Sequence, residues 1–441
     1  MSKNSTLEEI VELIKNKKFD DALKNIKSFI KFNPHNPKAF NLLGIIELQL
    51  NQYENCIKTF NKAIDLDPNY FEAQNNLGNA FMGLGKFNDA VGCYKKVLKI
   101  NPDYAAGYNN IASAFNDLGN YEDAIINYSH ALKLDPNLTM AKGNIIQALS
   151  FHSPTNTELN IFTKSNNTLQ NIKIPESLND ELSDKSVISF YESCKQISDD
   201  NFKEFNYNLT QIWRRSNFNL GCKRHFEIFD NYKVIPEYCF GCFKVQIELS
   251  SIIDLFKLYL IFDKLNLSKN NSKKTMVELR PIASGCYKGI IYCFGIEDAE
   301  EIYSKLEKIL LNKIIRKYQM IIKRGCTEFG IEHPNYKIIN KQSEKFMNYN
   351  TDWKEKENII DNTSLKIQRQ KNIKHSKSIN GVTLSDVLIM RNWLYYAKLI
   401  GDEDYKKLDL NIAASKYLDF ELSKQTSFRE KEFKKYKNSY N

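Results

Sequence analysis

The sequence predicts a multidomain chain, with an all-α solenoid of stacked helical hairpins followed by an α+β domain. Three observations carry this. Pro34, Pro68, Pro102 and Pro136 stand at one fixed step, and a period of that length marks a repeat architecture. Beyond residue 240 the apolar pattern switches several times between helical spacing and strict alternation. The 441 residues, 42% hydrophobic and 26% charged, suffice for two or three folded domains.

The repeats justify the first prediction. Small residues recur at Ala22, Cys56, Ala90 and Ala124, and aromatics at Phe19, Tyr53, Phe87 and Tyr121. Large residues recur at Ile26, Phe60, Tyr94 and Tyr128, and Gly44, Gly78 and Ala112 keep the same step. Each unit reads as two helices joined at a turn, with Gly85 and Gly119 ending the first helix. The small residues let the paired helices approach closely, and the aromatics fill the space beside them. Each proline lies past the second helix, which it cannot continue. One hairpin cannot bury its apolar face alone, so the units stack.

These columns resemble the tetratricopeptide repeat family over about residues 3–138, as four units. Residues 139–151 read as a capping helix, which sets the first domain at 3–151. The resemblance has two departures. Ile10 stands where a small residue is expected, and Cys56 replaces the usual alanine. The resemblance implies a concave face, lined by the first helices, that binds an extended peptide or a partner helix. Those helices carry Asn41, Asn75, Asn76, Asn79, Asn109, Asn110 and Asn144. Asparagine is a mediocre helix former, so its repetition suggests hydrogen bonding to a peptide backbone. This set is similar to the asparagine ladder in the repeats of protein O-GlcNAc transferases. Lys and Arg are sparse on that face, which argues against a clamp for a C-terminal carboxylate.

Residues 152–185 are polar, carry two prolines and read as a linker. Helical patterns follow in 185–197 and 201–218. Residues 243–250 (FKVQIELS) alternate as a strand, and 251–267 read as a helix begun by serines. Residues 274–281 and 287–295 read as a strand pair with Gly285 in the bend. Residues 297–314 read as a helix, acidic in its first turn as the dipole prefers. Residues 318–325 read as the last strand. The order is β-α-β-β-α-β, the ferredoxin-like pattern, with its core at 239–326 inside a domain at 186–330. Residues 331–380 read as polar and irregular, and 381–441 as helices with a basic tail. Within these, 383–399 reads as an amphipathic helix. This half shows no resemblance to a family.

Nine cysteines with no secretion signal read as reduced thiols or metal ligands. Cys239 and Cys242 form a C-x-x-C ahead of the first ferredoxin-like strand. With Cys293 and Cys326 at neighbouring strand ends, they would share one sheet edge and suit zinc or an iron–sulfur cluster. Cys222 and His225 could join them, whereas Cys286 falls at the opposite edge. Plain reduced thiols are the simpler reading. Glu278, Arg280, Lys288 and Arg324 are strand charges that could line a site. There is no H-E-x-x-H, G-x-S-x-G, Walker loop or dinucleotide fingerprint, and 17 glycines argue against glycine-rich nucleotide folds.

Residues 1–151 hold 16 basic and 16 acidic residues, so the whole net charge of +9 lies beyond them. No basic stripe is interleaved with aromatics along the sequence, so nucleic acid is not expected as a partner. No apolar run is long enough to span a bilayer. The reading is a cytoplasmic protein–protein interaction scaffold, with a protein or peptide in the groove and no cofactor. The alternatives are an enzyme of unfamiliar type, such as a protein-modifying transferase that presents its substrate on the repeats, and a cysteine-based metal sensor.

Overall fold

The computed structural model describes residues 6–175, 182–203, 205–216, 220–312, 318–368, 377–412, 414–423 and 425–439. Among the described residues the chain divides into two compact units, 6–148 with 363–368, and 149–362 with 377–439.

The first unit is a run of helices: α1 (Leu7–Lys15), α2 (Phe19–Phe32), α3 (Pro37–Gln49), α4 (Tyr53–Leu66), α5 (Phe71–Gly83), α6 (Phe87–Ile100), α7 (Ala105–Leu118), α8 (Tyr121–Leu134) and α9 (Thr139–Ala148). Within each hairpin the turn needs a left-handed residue. Gly85 and Gly119 supply it at φ 72° and 77°. Lys17 and Asn51 occupy the same periodic position at φ 57° and 58°, where a side chain costs about 1 kcal/mol or more.

The packing explains the small and large columns together. A Cβ on Gly44 would lie 2.5 Å from the Phe60 ring, and one on Gly78 2.5 Å from the Tyr94 ring. Each glycine therefore accommodates an aromatic from the helix that follows it. The first repeat reaches the same end with Ile10 and Ile26, both fully buried in one cluster. The side chain at the small position grew and the one at the large position shrank, a volume-conserving exchange. This accounts for the departure at Ile10.

The second unit begins with α10 (Ile161–Gln170) and α11 (Asp184–Phe202). The stretch expected as a linker is thus partly ordered. Phe162 of α10 packs on Phe202, with ring centroids 5.1 Å apart. Next come β1 (Gln211–Arg214), α12 (Cys222–Tyr232) and α13 (Glu237–Phe240). Residues 201–218 were expected to be helical. Instead the helix ends at Phe202, and β1 pairs antiparallel with the edge of the sheet through Gln211↔Met276 and Trp213↔Lys274. Pairing with a free edge outweighs the weak helical pattern there.

The sheet proper is β2 (Phe243–Leu249), β3 (Lys273–Val277), β4 (Tyr287–Cys293) and β5 (Tyr318–Arg324), with α14 (Ile252–Lys264) between β2 and β3 and α15 (Ile296–Asn312) between β4 and β5. The strand order is β1-β3-β4-β2-β5, all antiparallel. Helices cover one face. Leu258 and Phe262 of α14 lie so close over Gly289 that a Cβ there would sit 2.3 Å from Leu258.

Beyond β5 lie α16 (Phe329–Glu332), α17 (Lys354–Gln368), α18 (Leu384–Ile400), α19 (Tyr405–Leu408), α20 (Lys416–Leu422) and α21 (Thr426–Ser439). The segment expected to be irregular after residue 331 is anchored by Arg324. Its guanidinium lies 4.9 Å, 5.1 Å and 4.7 Å from the rings of Phe240, Tyr336 and Phe346. It also donates to the Phe240 and Met347 carbonyls. Arg324 therefore pins a loop.

The amphipathic helix expected at 383–399 is α18, but it is buried on nearly every side. Its polar residues are paired: Asn392 donates to the Leu209 carbonyl at 2.8 Å and the Trp393 indole to the Thr210 carbonyl at 2.8 Å. Asp386 accepts from Arg214 at 3.0 Å, and Asp263 accepts from the same guanidinium at 2.7 Å. No helix among the described residues is long and apolar enough to cross a membrane.

Candidate functional site

The asparagines of the first unit do form a ladder, and its rungs join repeat to repeat. Asn76 Nδ2 donates to Asn41 Oδ1 at 2.9 Å, Asn110 Nδ2 to Asn75 Oδ1 at 2.9 Å, and Asn144 Nδ2 to Asn109 Oδ1 at 3.3 Å. Asn41 in turn donates to the Tyr70 hydroxyl at 3.2 Å. Asn79 accepts the Tyr94 hydroxyl at 2.7 Å, so the aromatic that fills the Gly78 hollow also orients this amide. Asn41, Asn75 and Asn109 are buried, whereas Asn76, Asn79, Asn110 and Asn144 are half-exposed. The inner row accepts. In the outer row Asn76, Asn110 and Asn144 each spend one of two N–H donors on a rung and keep the other, whereas Asn79 makes no rung. All seven predicted residues thus lie on the first helices of their repeats, at two depths.

The second unit gathers a different chemistry on the sheet face turned away from α14, which is itself largely buried. Alternation along β2 puts Lys244, Gln246 and Glu248 there. The register brings Lys323 opposite Lys244, Lys288 opposite Glu248, and Tyr292 opposite Lys244. Lys274 of β3 lies across from Trp213 of β1. Trp213 stacks on Tyr292 at 5.6 Å, and the Lys274 and Lys244 ammoniums sit 4.9 Å and 5.2 Å from the Trp213 and Tyr292 ring centroids.

Glu278 is fully buried. It accepts from Lys288 at 2.9 Å and from Arg280 at 2.8 Å, and Arg280 also reaches Glu328 at 2.9 Å. Burial opposes its ionisation, but these cations prevail and hold its carboxyl down at about 2. Of the charges singled out in the sequence, Glu278, Arg280 and Lys288 form one network and Arg324 stands apart. Sequence reasoning missed Lys244, Lys274, Lys323, Trp213 and Tyr292. The available signal was polar alternation within a strand that proves central.

The cysteines are only partly gathered. Lys244 Nζ donates to Cys326 Sγ at 3.3 Å. Cys222, Cys239 and Cys242 lie within electrostatic range of Cys326. Cys293 shares the expected edge, but the pleat turns it to the helix-covered face with Ile291, and its thiol contacts the Ile291 carbonyl at 3.6 Å. His225 stacks on Tyr238 at 5.2 Å, and burial pushes its imidazole down to about 4. Burial pushes the Cys242 thiol up to about 11 and Cys293 to about 12. Among the described residues, no three His, Cys, Asp or Glu side chains are arranged to hold a metal ion. Cys286 is buried at the other end, beside Glu432.

Comparison with known proteins supports the repeats. A TPR repeat family matches residues 44–85, and the tetratricopeptide repeat family matches 71–104 and 105–138. The N-terminal region therefore contains tetratricopeptide repeats. Solved structures give partial likenesses. MamA from Desulfovibrio magneticus RS-1 is 20% identical with a TM-score of 0.30, over 32% of this chain and 80% of that one. YrrB, described as a TPR protein with an unusual peptide-binding site, is 19% identical with a TM-score of 0.28, over 30% and 67%. The first TPR domain of human RPAP3 is 24% identical with a TM-score of 0.26, over 26% and 91%. No curated protein matches the chain.

Proposed function

We propose that this protein is an interaction scaffold whose repeat array captures an extended polypeptide along the asparagine face. The observation that carries the reading is the ladder itself. Each rung fixes one amide on its neighbour, so the outer row of Asn76, Asn110 and Asn144 keeps its spacing without a ligand. Preorganised amides cost less to order on binding. Their remaining donors and acceptors match the alternating carbonyl and N–H groups of a peptide backbone. This arrangement is akin to the ladder in O-GlcNAc transferase repeats, and the likeness concerns capture, not chemistry. We read the sheet of the second unit as ferredoxin-like, with β1 added at one edge; its strand order supports that reading.

The test is to select peptides on the full chain from a random library, then measure the best one against wild type and N79A. Asn79 makes no rung, so its loss spares the ladder while removing a groove amide, although it also removes the acceptor of the buried Tyr94 hydroxyl. About a tenfold loss of affinity is expected, the worth of one or two backbone hydrogen bonds, with a melting temperature lowered by a few degrees because the Tyr94 hydroxyl loses its acceptor. Peptides that bind N79A as tightly as wild type would remove the amide face from the reading.

A further inference from the structure

A cavity of about 40 Å³ opens in the second unit beside β1, between the loop that follows α14 and the segment that enters α18. Arg214, Asp263, Asn271 and Lys273 form a buried floor, and Asn270 and Lys377 stand on an exposed rim. Four cations line it, Arg214, Arg215, Lys273 and Lys377, against the single carboxylate of Asp263. That carboxylate is already engaged, accepting from Arg214 at 2.7 Å and from the Gly381 N–H at 3.1 Å. Among the described residues, no ion pair joins Lys273 or Lys377 to a carboxylate, whereas Arg214 bonds both Asp263 and Asp386.

The floor leaves two groups unanswered. Lys273 is only 9% exposed and stands directly opposite Arg214 across the β1–β3 pair, where like charges in register destabilise a sheet. Its ammonium donates to the Leu265 carbonyl at 2.5 Å, which leaves two of three donors for the cavity that Leu265 also lines. Burial, with Arg214, Lys377 and Lys305, pushes this ammonium down to about 8 against the pull of Asp263. Asn271 gives its amide N–H groups to the Tyr292 carbonyl at 2.9 Å and to Asp298 at 2.8 Å, but its buried Oδ1 accepts no hydrogen bond. Buried polar groups are otherwise paired in folded proteins.

We propose that this cavity binds a small hydroxycarboxylate, whose carboxylate takes the Lys273 and Lys377 ammoniums and whose hydroxyl donates to Asn271 Oδ1. A plain carboxylate or a phosphate-ester dianion offers acceptors alone and would leave Asn271 unanswered. A neutral alcohol would answer Asn271 and leave the cations. A hydroxyl beside a carboxylate serves both. The volume sets the size of the guest. At ~10–15 Å³ for each water-sized atom the cavity has room for about three, which an acid of two or three carbons fills, with its remaining atoms at the rim.

The experiment is calorimetric titration of the full chain with glycolate, acetate and inorganic phosphate, repeated on K273M and K377A. One saturable site for glycolate is expected, with acetate about tenfold weaker for want of the hydroxyl. K273M should bind glycolate about tenfold or more weakly, the loss of one charge-assisted contact. Lys377 is exposed, so K377A should keep the wild-type melting temperature and test the rim even if K273M unfolds; it should bind about three- to fivefold more weakly. Wild-type affinity should fall as pH rises from 7 to 9, because Lys273 loses its proton while glycolate stays charged. K273M should lose that dependence, which a merely structural lysine would not supply. The proposal is overturned if glycolate saturates no site, if acetate or phosphate binds as tightly as glycolate, or if K273M and K377A both bind glycolate as wild type does.

Discussion

In the repeat array Asn76 bonds Asn41, Asn110 bonds Asn75 and Asn144 bonds Asn109, each across the same 35 residues. In the second unit Arg214 bonds Asp386 across 172 residues and Asp263 across 49, and nothing repeats the contact. The array is a sum of alike neighbours, so a lost contact is felt locally. The second unit depends on single junctions between distant segments, so a lost junction is felt throughout.

The sharpest way to break this contrast is at Arg214. It is buried with both carboxylates, the Tyr259 hydroxyl and the Gly381 carbonyl around it. R214M would strand Asp263 and Asp386 without a cation, at a cost of ~3–5 kcal/mol. In chemical denaturation the second unit should unfold at much lower denaturant, while the helical signal of the repeats persists. A variant that loses both signals together would show that the two units do not unfold independently.

This contrast also explains what could be read from the sequence. The array was legible because its physics is periodic. The proline, glycine and aromatic columns are the packing itself, and even Ile10 is answered by Ile26 in the matching column. The strands β2 to β5 of the second unit were legible for the same reason, since alternation is local. The junctions were not. Nothing near Arg214 in the chain announces Asp386, and nothing in the C-x-x-C indicates that the pleat turns Cys293 away. β1 was hidden because four residues are too few to show a period. The lysine-rich face was visible only in part. Lys244 and Glu248 alternate within β2, but Lys323 and Lys274 join them through pairing alone.

A smaller effect probes the array's own logic. G44A would place a methyl 2.5 Å from the Phe60 ring. Overpacking of this kind costs ~1–3 kcal/mol, set against a gain of up to about 1 kcal/mol from helix propensity. F60I should also destabilise, by leaving a cavity. Combined, the two changes move the pair in the direction the first repeat takes at Ile10 and Ile26, with a larger side chain at the small position and a smaller one at the large position. The double variant should therefore be less destabilised than the two single changes added, by about 1 kcal/mol in a double-mutant cycle. Strict additivity would mean that the two columns do not compensate each other.

The last predicted effect returns to the second unit and depends on pH. Asp402 caps the start of α14 by accepting the Ile252 N–H at 2.8 Å, and it also accepts the Tyr287 hydroxyl at 2.7 Å. Burial outweighs these bonds and pushes its carboxyl up to about 6, against about 3.9 in an unfolded chain. Between those values the folded protein holds a proton that the unfolded chain has released. Stability from this group therefore rises as pH falls from 7 towards 4, and is lost again as pH climbs through 6. D402N lacks the titration. The stability of wild type relative to D402N should thus increase by ~1–2 kcal/mol between pH 7.5 and pH 4.5, measured by urea denaturation at each pH. Taking the difference cancels His225, whose depressed imidazole acts in the opposite sense over the same range. A difference that does not change with pH would show that the α14 cap is ionised throughout and that its bonds, not its burial, govern Asp402.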